Sequence, residues 1–507
     1  MDTYMRQSGE NPDLNLNVVS YILRQAADRP GLAALSHSQG NLTYSDLAER
    51  IKRIAQGLKQ AGINRDKVAI LSTNRVEFVE VFLGTIYAGC VPVPLDPKWS
   101  SREVHAVLHQ CKPGIIFTEA SLADRLNILK SESIVLTFSA DHAGTGSYDS
   151  WLARFTPETE MEPANELLFI GFTSGTTGLP KGFMRSHASW ISSFRATEEA
   201  FRLSRMEHIT APGPFVHSLS LFALMQSLYS GATFHIVPQF EADEVLRLCE
   251  RVPDMILFVV PTMIEAMLRL AKSGSTNIQA IISSGGKWTE ASKEACKKVF
   301  CEARLYEYYG SSEASYISYM DVYDDIKPGA VGRAFPGVEV SIRDEQFSEV
   351  PIGVVGQLYI RSPMMFLGYY QRPEETAAVF RDGWLELGDY ASLDEDGYLH
   401  LAGRSKNRMI TGGLNVFPEE VEAVLQQLPD IQEVMVLGVP DDYWGEKITA
   451  LVKWRGEGRL SLEEIKSYCR RYLAAYKAPR QIITVDEFTY TSSGKISRYV
   501  MKQMVKG

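Results

Sequence analysis

The amino-acid sequence of 507 residues predicts an α/β protein with a large N-terminal domain and a small α+β C-terminal domain. Three observations support this fold class. Apolar runs of strand length alternate with helix-length patterns through the first three fifths of the chain. Several runs between residues 337 and 403 then alternate between apolar and polar residues, and a compact stretch of about a hundred residues, a common domain size, follows.

The N-terminal elements predict two doubly wound subdomains, in which helices cover both faces of a parallel sheet. Runs that are apolar along their whole length are typical of parallel strands buried on both sides. The segment "RVEFVEVFLGTIYAG" at residues 75–89 predicts an amphipathic helix between two such strands. The predicted strands lie at residues 68–72, 91–95, 114–119, 134–139, 232–238, 255–260, 278–285 and 303–310.

The elements after the parallel strands are of a different kind. The runs "VEVSIRD", "VGQLYIRS" and "DGYLHLAGR" alternate between apolar and polar residues, which predicts a small antiparallel β subdomain. A boundary is expected at "GRSKN", which gives an N-terminal domain of residues 1–404 and a C-terminal domain of residues 405–507. In the latter, Pro418 is expected at the first position of one helix, and "SLEE" at residues 461–464 predicts a capping box for another.

Composition and charge exclude several classes of function. A net charge of −10, from 52 basic and 62 acidic residues, argues against nucleic-acid binding, which needs a basic surface. The first twenty residues contain no apolar signal segment, and no apolar run reaches the length of a membrane span. Six scattered cysteines without a C-x-x-C motif, and nine histidines without a cluster, favour buried thiols in a reducing, cytoplasmic compartment.

The segment "TSGTTGLPKG", residues 173–182, follows an apolar run and precedes a helix-like pattern. A strand leading into a glycine-rich loop that opens a helix commonly presents backbone N–H groups to phosphate. The spacing fits neither a P-loop, which would need glycine at Pro180 and Ser or Thr at Gly182, nor a dinucleotide fingerprint. We therefore expect a phosphate-binding loop of another kind, and the alternative is a Ser/Thr/Gly linker.

Four further segments extend this pattern along the chain: "YEYYGSSEAS" (306–315), "LGDYA" (387–391), "GRSKNRMITGGLNVFPEEVE" (403–422) and "TSSGKISR" (491–498). With the glycine-rich loop, they resemble in order and spacing the adenylate-forming acyl-CoA synthetase family, which includes luciferases and peptide-synthetase adenylation domains. The resemblance extends from Leu42 to Lys495. It implies that a carboxylate attacks the α-phosphate of ATP to give an acyl-adenylate and pyrophosphate, after which a thiol takes the acyl group.

The resemblance also implies roles for individual residues in the first step. Lys181 is expected to counter the charge of the phosphates, and Glu313 with Thr173 to hold Mg²⁺. Asp389 is expected to accept hydrogen bonds from the ribose hydroxyls, and His217 to lie near the carboxylate of the acid. The implied ATP-binding residues are Thr173, Ser174, Gly175, Thr176, Thr177, Lys181, Gly285, Gly286, Tyr309, Gly310, Ser312, Asp389, Arg404 and Lys495.

The C-terminal domain is implied to be mobile and to serve both half-reactions. Lys495 is expected to bridge the carboxylate and the α-phosphate, and Lys406 to be the hinge. Gly413 is expected to line the channel for the pantetheine arm of CoA, because glycine leaves room for a thin substrate. Trp444 and Tyr476 resemble positions that contact the nucleotide end of CoA.

The sequence leaves several alternatives open. The acceptor is CoA or the phosphopantetheine arm of a separate carrier protein, and the chain could alternatively be a non-catalytic nucleotide-binding protein. The apolar segment "FVHSLSLFALMQSLYSGA" favours a medium- or long-chain fatty acid, with an aryl acid as the second candidate. Lys287 faces either the tail of a polar substrate or solvent. Ser312 stands where the family usually has threonine, which preserves the hydroxyl group.

Overall fold

The computed structural model is a mixed α/β protein, as predicted. None of the helices it describes combines the length and the apolar character needed to cross a bilayer. The structure describes residues 17–126, 133–138, 146–157, 166–173, 179–203, 206–272, 274, 277–286, 288–323, 327, 329–412, 414–456, 458–490 and 496–506.

The strands of the described ranges are β1 (Ala33–His37), β2 (Gly40–Thr43), β3 (Lys67–Leu71), β4 (Val91–Leu95), β5 (Ile115–Glu119), β6 (Ile134–Phe138), β7 (Leu167–Thr173), β8 (Lys181–Ser186), β9 (His208–Thr210), β10 (Thr233–His235), β11 (Met255–Val259), β12 (Ile278–Ser283), β13 (Arg304–Ser311), β14 (Ser315–Asp321), β15 (Arg333–Ala334), β16 (Glu339–Arg343), β17 (Gly356–Arg361), β18 (Gly368–Tyr369), β19 (Phe380–Arg381), β20 (Trp384–Leu393), β21 (Leu399–Arg404), β22 (Met409–Thr411), β23 (Leu414–Val416), β24 (Ile431–Asp441), β25 (Gly445–Trp454) and β26 (Gln481–Thr484).

The helices are α1 (Val18–Asp28), α2 (Tyr44–Gln60), α3 (Val76–Tyr87), α4 (Ser101–Cys111), α5 (Tyr148–Leu152), α6 (His187–Phe201), α7 (Ser218–Ser230), α8 (Ala242–Arg251), α9 (Pro261–Leu268), α10 (Glu290–Val299), α11 (Pro373–Val379), α12 (Pro418–Leu425), α13 (Leu462–Cys469) and α14 (Arg498–Lys506). Short 3₁₀ helices cover Ala120–Leu126, Ser405–Asn407 and Ala475–Lys477.

The chain divides by its internal contacts into two compact units. Unit 1 comprises Met1–Glu339 and Ile360–Leu385, and unit 2 comprises Val340–Tyr359 and Glu386–Gly507. The predicted boundary after Arg404 concerns a hinge between two states of the molecule and stays a prediction.

Unit 1 contains the two predicted parallel sheets. One has nine strands in the order β15-β14-β13-β12-β11-β9-β10-β1-β2, and its central pairs, from β13 to β1, are parallel. The other has four strands, all parallel, in the order β4-β3-β5-β6. Each predicted strand of this region is present, with its ends shifted by at most two or three residues.

The glycine-rich loop corrects one expectation. It was predicted to open a helix, but it joins two antiparallel strands, β7 and β8, and Lys181 begins the second strand. The helix-like pattern starts only at α6, where Ser186 is the N-cap and its hydroxyl accepts a hydrogen bond from Ser189 N. The β-branched and aromatic residues of β7 favour a strand. Strand β8 pairs with β7 on one side and with β18 on the other, which completes a three-stranded sheet.

Helix α3 corrects another expectation. It was predicted to be amphipathic, yet every residue from Phe78 to Tyr87 is buried. A helix that packs on all sides is expected to be apolar throughout, and Glu80 breaks that rule. Its carboxylate accepts a hydrogen bond from the Tyr148 hydroxyl at 2.6 Å and forms an ion pair with Arg50 at 3.2 Å.

Unit 2 contains the predicted antiparallel elements. Strands β16, β17, β20 and β21 form most of one sheet, and a second sheet has the order β23-β22-β25-β24, with β26 paired to β25. Pro418 occupies the first turn of α12, as predicted. The capping box of α13 is also confirmed, since Ser461 and Glu464 exchange both hydrogen bonds.

The cysteines and histidines are placed mostly as expected. Five cysteines are buried, but Cys301 is exposed, which corrects the expectation that all are buried. His208 and His235 lie on adjacent strands with ring nitrogens 3.1 Å apart, a proximity that their separation in sequence conceals. The described residues contain no cluster of three or more His, Cys, Asp or Glu side chains suited to a metal ion.

Glu80 generates a prediction about stability and pH. Burial raises the pKa of Glu80 to about 7 against the opposing effect of Arg50. Because the folded pKa lies above the unfolded value, the stabilisation is complete below about pH 4.5 and is lost as the pH rises through 7. We expect the wild-type protein to lose about 3 kcal/mol of unfolding free energy over this range, and Glu80→Gln to avoid that loss.

The measurement is chemical or thermal unfolding of both proteins between pH 4.5 and pH 8. Glu77, on the same helix, is the matched control, because its pKa is lowered: burial raises it, but the hydrogen bond from Arg75, a backbone hydrogen bond and the charges of Arg75 and Arg50 together outweigh burial. The stability that Glu77 contributes is present above about pH 4.5 and is lost only at lower pH, so Glu77→Gln should show a nearly constant deficit between pH 4.5 and pH 8. Parallel pH profiles for wild type and Glu80→Gln would contradict the prediction.

Candidate active site

The glycine-rich loop closes the β7–β8 hairpin in unit 1. Thr173 ends β7 and Lys181 begins β8, and the two residues lie opposite each other in the antiparallel register. The predicted loop residues Ser174, Gly175, Thr176 and Thr177 lie outside the described residues. The hairpin therefore places a hydroxyl and an ammonium group side by side where the loop leaves the sheet.

Lys181 contacts two residues of the segment around β18. Its ammonium nitrogen lies 2.6 Å from Glu375 Oε2 and 3.2 Å from the centre of the Tyr369 ring. The hydrogen bond from Lys181 and the neighbouring Arg372 lower the pKa of the Glu375 carboxyl. The positive charge of Lys181 is thus already compensated by a carboxylate and by the electron-rich face of a ring.

Glu313 is connected to the same ring. It lies in the turn between β13 and β14, and its Oε1 accepts a hydrogen bond from the Tyr369 hydroxyl at 3.0 Å. Burial and the charge of Glu313 raise the pKa of Tyr369, so the phenol remains a hydrogen-bond donor. The predicted residues Lys181 and Glu313 therefore both contact Tyr369.

The turn that carries Glu313 is fixed by several contacts. The carbonyl oxygen of Ser312 accepts a hydrogen bond from Arg185 at 3.0 Å, and the Ser312 and Ser218 hydroxyls lie 2.9 Å apart. The carbonyl oxygen of Glu313 accepts a hydrogen bond from Phe366 N at 2.7 Å. Gly310 pairs with Tyr316 at the end of the β13–β14 ladder.

The remaining candidates of unit 1 lie at the ends of other elements. His217 is the N-cap residue of α7, and its Nε2 lies 3.4 Å from Asp96 Oδ2, just after β4. Gly285 and Gly286 follow β12, and Gly285 has a positive φ of 83°. Tyr309 is half-buried near the end of β13. Lys287 lies outside the described residues.

In unit 2, the predicted residues Asp389 and Arg404 form an ion pair. They face each other across β20 and β21, and Arg404 Nε donates to Asp389 Oδ1 at 3.0 Å. Asp389 is only 7% exposed, so this carboxylate is held in one position. Lys406 lies in the 3₁₀ helix that follows β21, where loss of solvation and the charge of Arg404 lower its pKa.

Two further candidates of unit 2 are joined by an arginine. The Arg480 guanidinium lies 3.8 Å from the centre of the Trp444 ring and donates to the Tyr476 carbonyl oxygen at 3.1 Å. The Trp444 carbonyl oxygen accepts a hydrogen bond from Gly412 N, which ties the ring to the turn after β22. Gly413 and Lys495 lie outside the described residues.

Sequence reasoning missed four residues that the structure places beside the candidates: Tyr369, Glu375, Arg185 and Arg480. The segment "FLGYYQRPEET" at residues 366–376 carried a signal, because two tyrosines and two glutamates surround a proline turn. No spacing rule assigns that pattern to a chemistry, however. Arg185 gave no signal, since an arginine in a short polar run after a loop is usually exposed.

The donor set around Glu313 and Thr173 fits a hard cation. Carboxylate and hydroxyl oxygens suit Mg²⁺, which is commonly held by one or two protein oxygens together with the phosphates of a nucleotide. Such a site does not require a cluster of several carboxylates in the protein alone.

The chain matches two family models. Residues 22–370 match a family described as AMP-binding enzyme, and residues 420–495 match one described as AMP-binding enzyme C-terminal domain. The first match spans more than half of the chain.

Curated relatives cover nearly the whole chain. The acyl–CoA ligase YhfT of Bacillus subtilis (strain 168), named as uncharacterized, is 31% identical over 95% of this chain and 97% of its own length. VraA of Staphylococcus epidermidis, provisionally named a long chain fatty acid-CoA ligase, is 31% identical over 96% and 98%. The indoleacetate–CoA ligase of Aromatoleum aromaticum is 28% identical over 97% and 98%.

A solved structure matches the fold over nearly the whole chain. The crystal structure of ATP-bound MatB from Rhodopseudomonas palustris superimposes with a TM-score of 0.88 and 29% sequence identity, and it covers 97% of this chain and 99% of MatB. The match confirms the predicted fold class of a large N-terminal domain with a small C-terminal domain.

Two candidate glycines give a matched prediction. A Cβ atom at Gly310 would lie 2.1 Å from the Ser315 carbonyl oxygen, whereas one at Gly286 would lie 3.7 Å from Pro261 Cδ. Gly310→Ala must therefore displace the backbone of the turn that carries Glu313. We expect Gly310→Ala to lose about 1–3 kcal/mol of unfolding free energy, as overpacked sites do.

Gly286→Ala should change the unfolding free energy far less, because its contact is an ordinary van der Waals distance. Denaturant unfolding of the two variants beside the wild type measures the difference. Equal stability of the two variants would show that the turn after Gly310 adjusts freely, and the fixed position of Glu313 would then be in doubt.

Proposed function

We propose, on the premise that this chain belongs to the AMP-binding enzyme family and is an AMP-forming acyl-CoA synthetase, that the cluster around Lys181, Tyr369 and Glu313 is its ATP phosphate site. The observation that carries the proposal is the convergence of the two predicted residues on one tyrosine ring. The Lys181 ammonium nitrogen lies 3.2 Å from the centre of the Tyr369 ring, and Glu313 Oε1 accepts a hydrogen bond from the Tyr369 hydroxyl at 3.0 Å.

In the first half-reaction, a carboxylate oxygen of the acid attacks the α-phosphorus of ATP. The bond between the α-phosphorus and the bridging oxygen breaks, and pyrophosphate leaves with that electron pair. Two anions meet in this step, so preorganised cations and hydrogen-bond donors supply most of the rate enhancement. In the second half-reaction, the thiol sulfur of CoA attacks the acyl carbon, and AMP leaves.

Lys181 binds the β- and γ-phosphates in this proposal, together with the loop residues Thr173, Ser174, Gly175, Thr176 and Thr177. Before ATP binds, Lys181 is paired with Glu375, whose side chain is 43% exposed. A half-exposed ion pair contributes roughly 0–1 kcal/mol, so exchanging Glu375 for a multiply charged phosphate costs little.

Glu313 and Thr173 hold Mg²⁺ in this proposal. The bound ion neutralises charge on the phosphates of ATP. The hydrogen bond from Tyr369 orients the Glu313 carboxylate and leaves acceptor positions for a further ligand, since a carboxylate has about four.

The nucleoside is bound by residues from several strand ends. Gly285, Gly286, Tyr309, Gly310 and Ser312 contact the adenine side. Asp389 and Arg404 bind the ribose, and Asp389 is suited to accept hydrogen bonds from both hydroxyls.

The acid and the thiol are bound by the remaining candidates. His217 lies near the carboxylate of the acid, where the contact of its Nε2 with Asp96 Oδ2 at 3.4 Å orients its ring. Gly413 lines the pantetheine channel, and Trp444 and Tyr476 contact the nucleotide end of CoA. Arg480, which lies against Trp444, adds a positive charge suited to a phosphate of CoA.

The acid is a medium- or long-chain fatty acid in this proposal. Helix α7, which begins beside His217, has a continuous run of buried residues from Ser220 to Leu228 that is mostly apolar. The provisional name of VraA supports a fatty acid, and the name of the indoleacetate–CoA ligase supports an aryl acid as the second candidate. A carrier protein acting in trans is the alternative acceptor.

An exchange assay tests the proposal. Labelled pyrophosphate should enter ATP only when the correct acid is present, across a panel of fatty, aryl, dicarboxylic and amino acids. A second assay compares CoA with a phosphopantetheinylated carrier protein as the acceptor. Absence of exchange with every acid would leave a non-catalytic nucleotide-binding protein as the better explanation.

Lys495 should serve only the first half-reaction. Loss of one preorganised charge donor typically costs on the order of a hundred- to a thousand-fold in rate. Lys495→Ala should slow acyl-adenylate formation by about that factor, and it should convert preformed acyl-adenylate and CoA to thioester at nearly the wild-type rate. Equal slowing of the two steps would contradict a role confined to adenylation.

Lys406 should be the hinge of the C-terminal domain. Proline fixes φ near −65°, so Lys406→Pro restricts the backbone rotation by which the domain presents a second face. We expect this variant to form acyl-adenylate and to lose thioester formation, as measured by the same two assays. Lys406→Ala is the control and should retain both steps. Full activity of Lys406→Pro in both would place the hinge elsewhere.

A further inference from the structure

Arg185 is a buried cation in strand β8, four residues after Lys181. The residue is only 3% exposed. The guanidinium donates to the Ser312 carbonyl oxygen at 3.0 Å, to the Met364 carbonyl oxygen at 2.9 Å and to the Ser189 hydroxyl at 3.3 Å. One planar group therefore connects β8 to two segments that are distant in sequence, at Ser312 and at Met364.

The burial of this charge needs a compensating interaction. Within the described part of the chain, no carboxylate forms an ion pair with Arg185. Burial lowers the pKa of Arg185 to about 9, and the negative charge of Glu313 acts in the opposite direction. The three acceptors of the guanidinium supply the hydrogen bonds that a buried charge requires.

The contacts of Arg185 coincide with the two segments that position Glu313. Ser312 is its neighbour in the turn, and Met364 precedes Phe366, whose N–H donates to the Glu313 carbonyl oxygen. The same segment continues to Tyr369, whose hydroxyl holds the Glu313 carboxylate. Movement of either segment would move the carboxylate.

We infer that Arg185 is the positioning residue of the phosphate site: its forked guanidinium locks the Glu313 turn to the segment that leads to Tyr369. The inference rests on the proposed function of Glu313. Lysine cannot replace this arrangement fully, because a single ammonium group lacks the planar fork that reaches two carbonyl oxygens at once.

A structural role and a positioning role of Arg185 predict different results. Strands β8 and β18 are already paired, with hydrogen bonds from Leu367 N to Met184 O and from Tyr370 N to Gly182 O. Arg185→Met leaves the Ser312 and Met364 carbonyl oxygens without this donor, and a buried acceptor that loses its partner destabilises the folded state. A role in stability alone predicts that the folded variant keeps its kcat and its Mg²⁺ dependence, whereas a positioning role predicts that both change.

The test is a double-mutant cycle on purified full-length protein. Pyrophosphate exchange is measured for wild type, Arg185→Met, Glu313→Gln and the double variant, over a range of ATP and Mg²⁺ concentrations. Arg185→Lys keeps the charge without the fork. Arg361→Met is the matched control, because Arg361 is an exposed arginine whose guanidinium pairs with the exposed Glu339 and lies 4.5 Å from the centre of the Trp384 ring, away from the proposed site residues. Thermal unfolding of every variant reports on folding.

We expect Arg185→Met to lower kcat by about 10- to 100-fold, the range for residues that orient a metal ligand, and to raise the half-saturating Mg²⁺ concentration. Arg185→Lys should recover part of kcat, and Arg361→Met should match the wild type. In the Glu313→Gln background, Arg185→Met should cost less than about 3-fold, because the group it positions is already gone.

Wild-type kcat and Mg²⁺ dependence in Arg185→Met would overturn the inference, and so would an undiminished loss in the Glu313→Gln background. If Arg185→Met does not fold, Arg185→Lys carries the same comparison with Glu313→Gln. Failure of the proposed function is recognised separately, because the wild-type protein would then show no exchange with any acid.

Discussion

In the proposed phosphate site, Lys181 binds the phosphates of ATP and needs other partners before ATP arrives. Glu375 and the face of the Tyr369 ring are the partners that its ammonium group contacts. Neither partner is strongly bound: the carboxylate is half-exposed, and a cation–π contact contributes on the order of 1 kcal/mol. Lys181 is therefore held in place but can exchange its partners, which a deeply buried ion pair would not allow.

Strand β8 arranges the other charges around this one. Side chains two residues apart in a strand share a face, so Lys181 and Arg185 point to the same side, roughly 13 Å apart at 3.3 Å per residue. Strand β18 pairs with β8 in the same sheet, and the segment around it supplies Tyr369 to Lys181 and the Met364 carbonyl oxygen to Arg185. In a helix, residues 181 and 185 would lie only one turn apart and could not be connected in this way.

The sequence predicted eight strands of the two parallel sheets of unit 1, because apolar runs and helix-length patterns are local signals. It also predicted the capping box at Ser461 and the first turn at Pro418, which depend on neighbouring residues alone. It failed for β8, because the run "KGFMRS" has no strong preference and becomes a strand only by pairing with β7 and β18. The partners of Lys181 and Glu313 were missed for the same reason: they lie about sixty residues or more away in the chain.

Motifs predicted which residues carry charge in the candidate site, but not how those charges are stabilised without ligand. Asp389 illustrates the difference. Arg404 occupies its Oδ1 at 3.0 Å, and a carboxylate can still accept several further hydrogen bonds. Glu313 is similar, since Tyr369 uses one acceptor position of its Oε1. In both units, a donor within the same unit fixes the carboxylate while most of its acceptor capacity remains for a ligand. Preorganisation of this kind reduces the rearrangement that binding requires, and it explains why the residues around the motifs matter as much as the motifs.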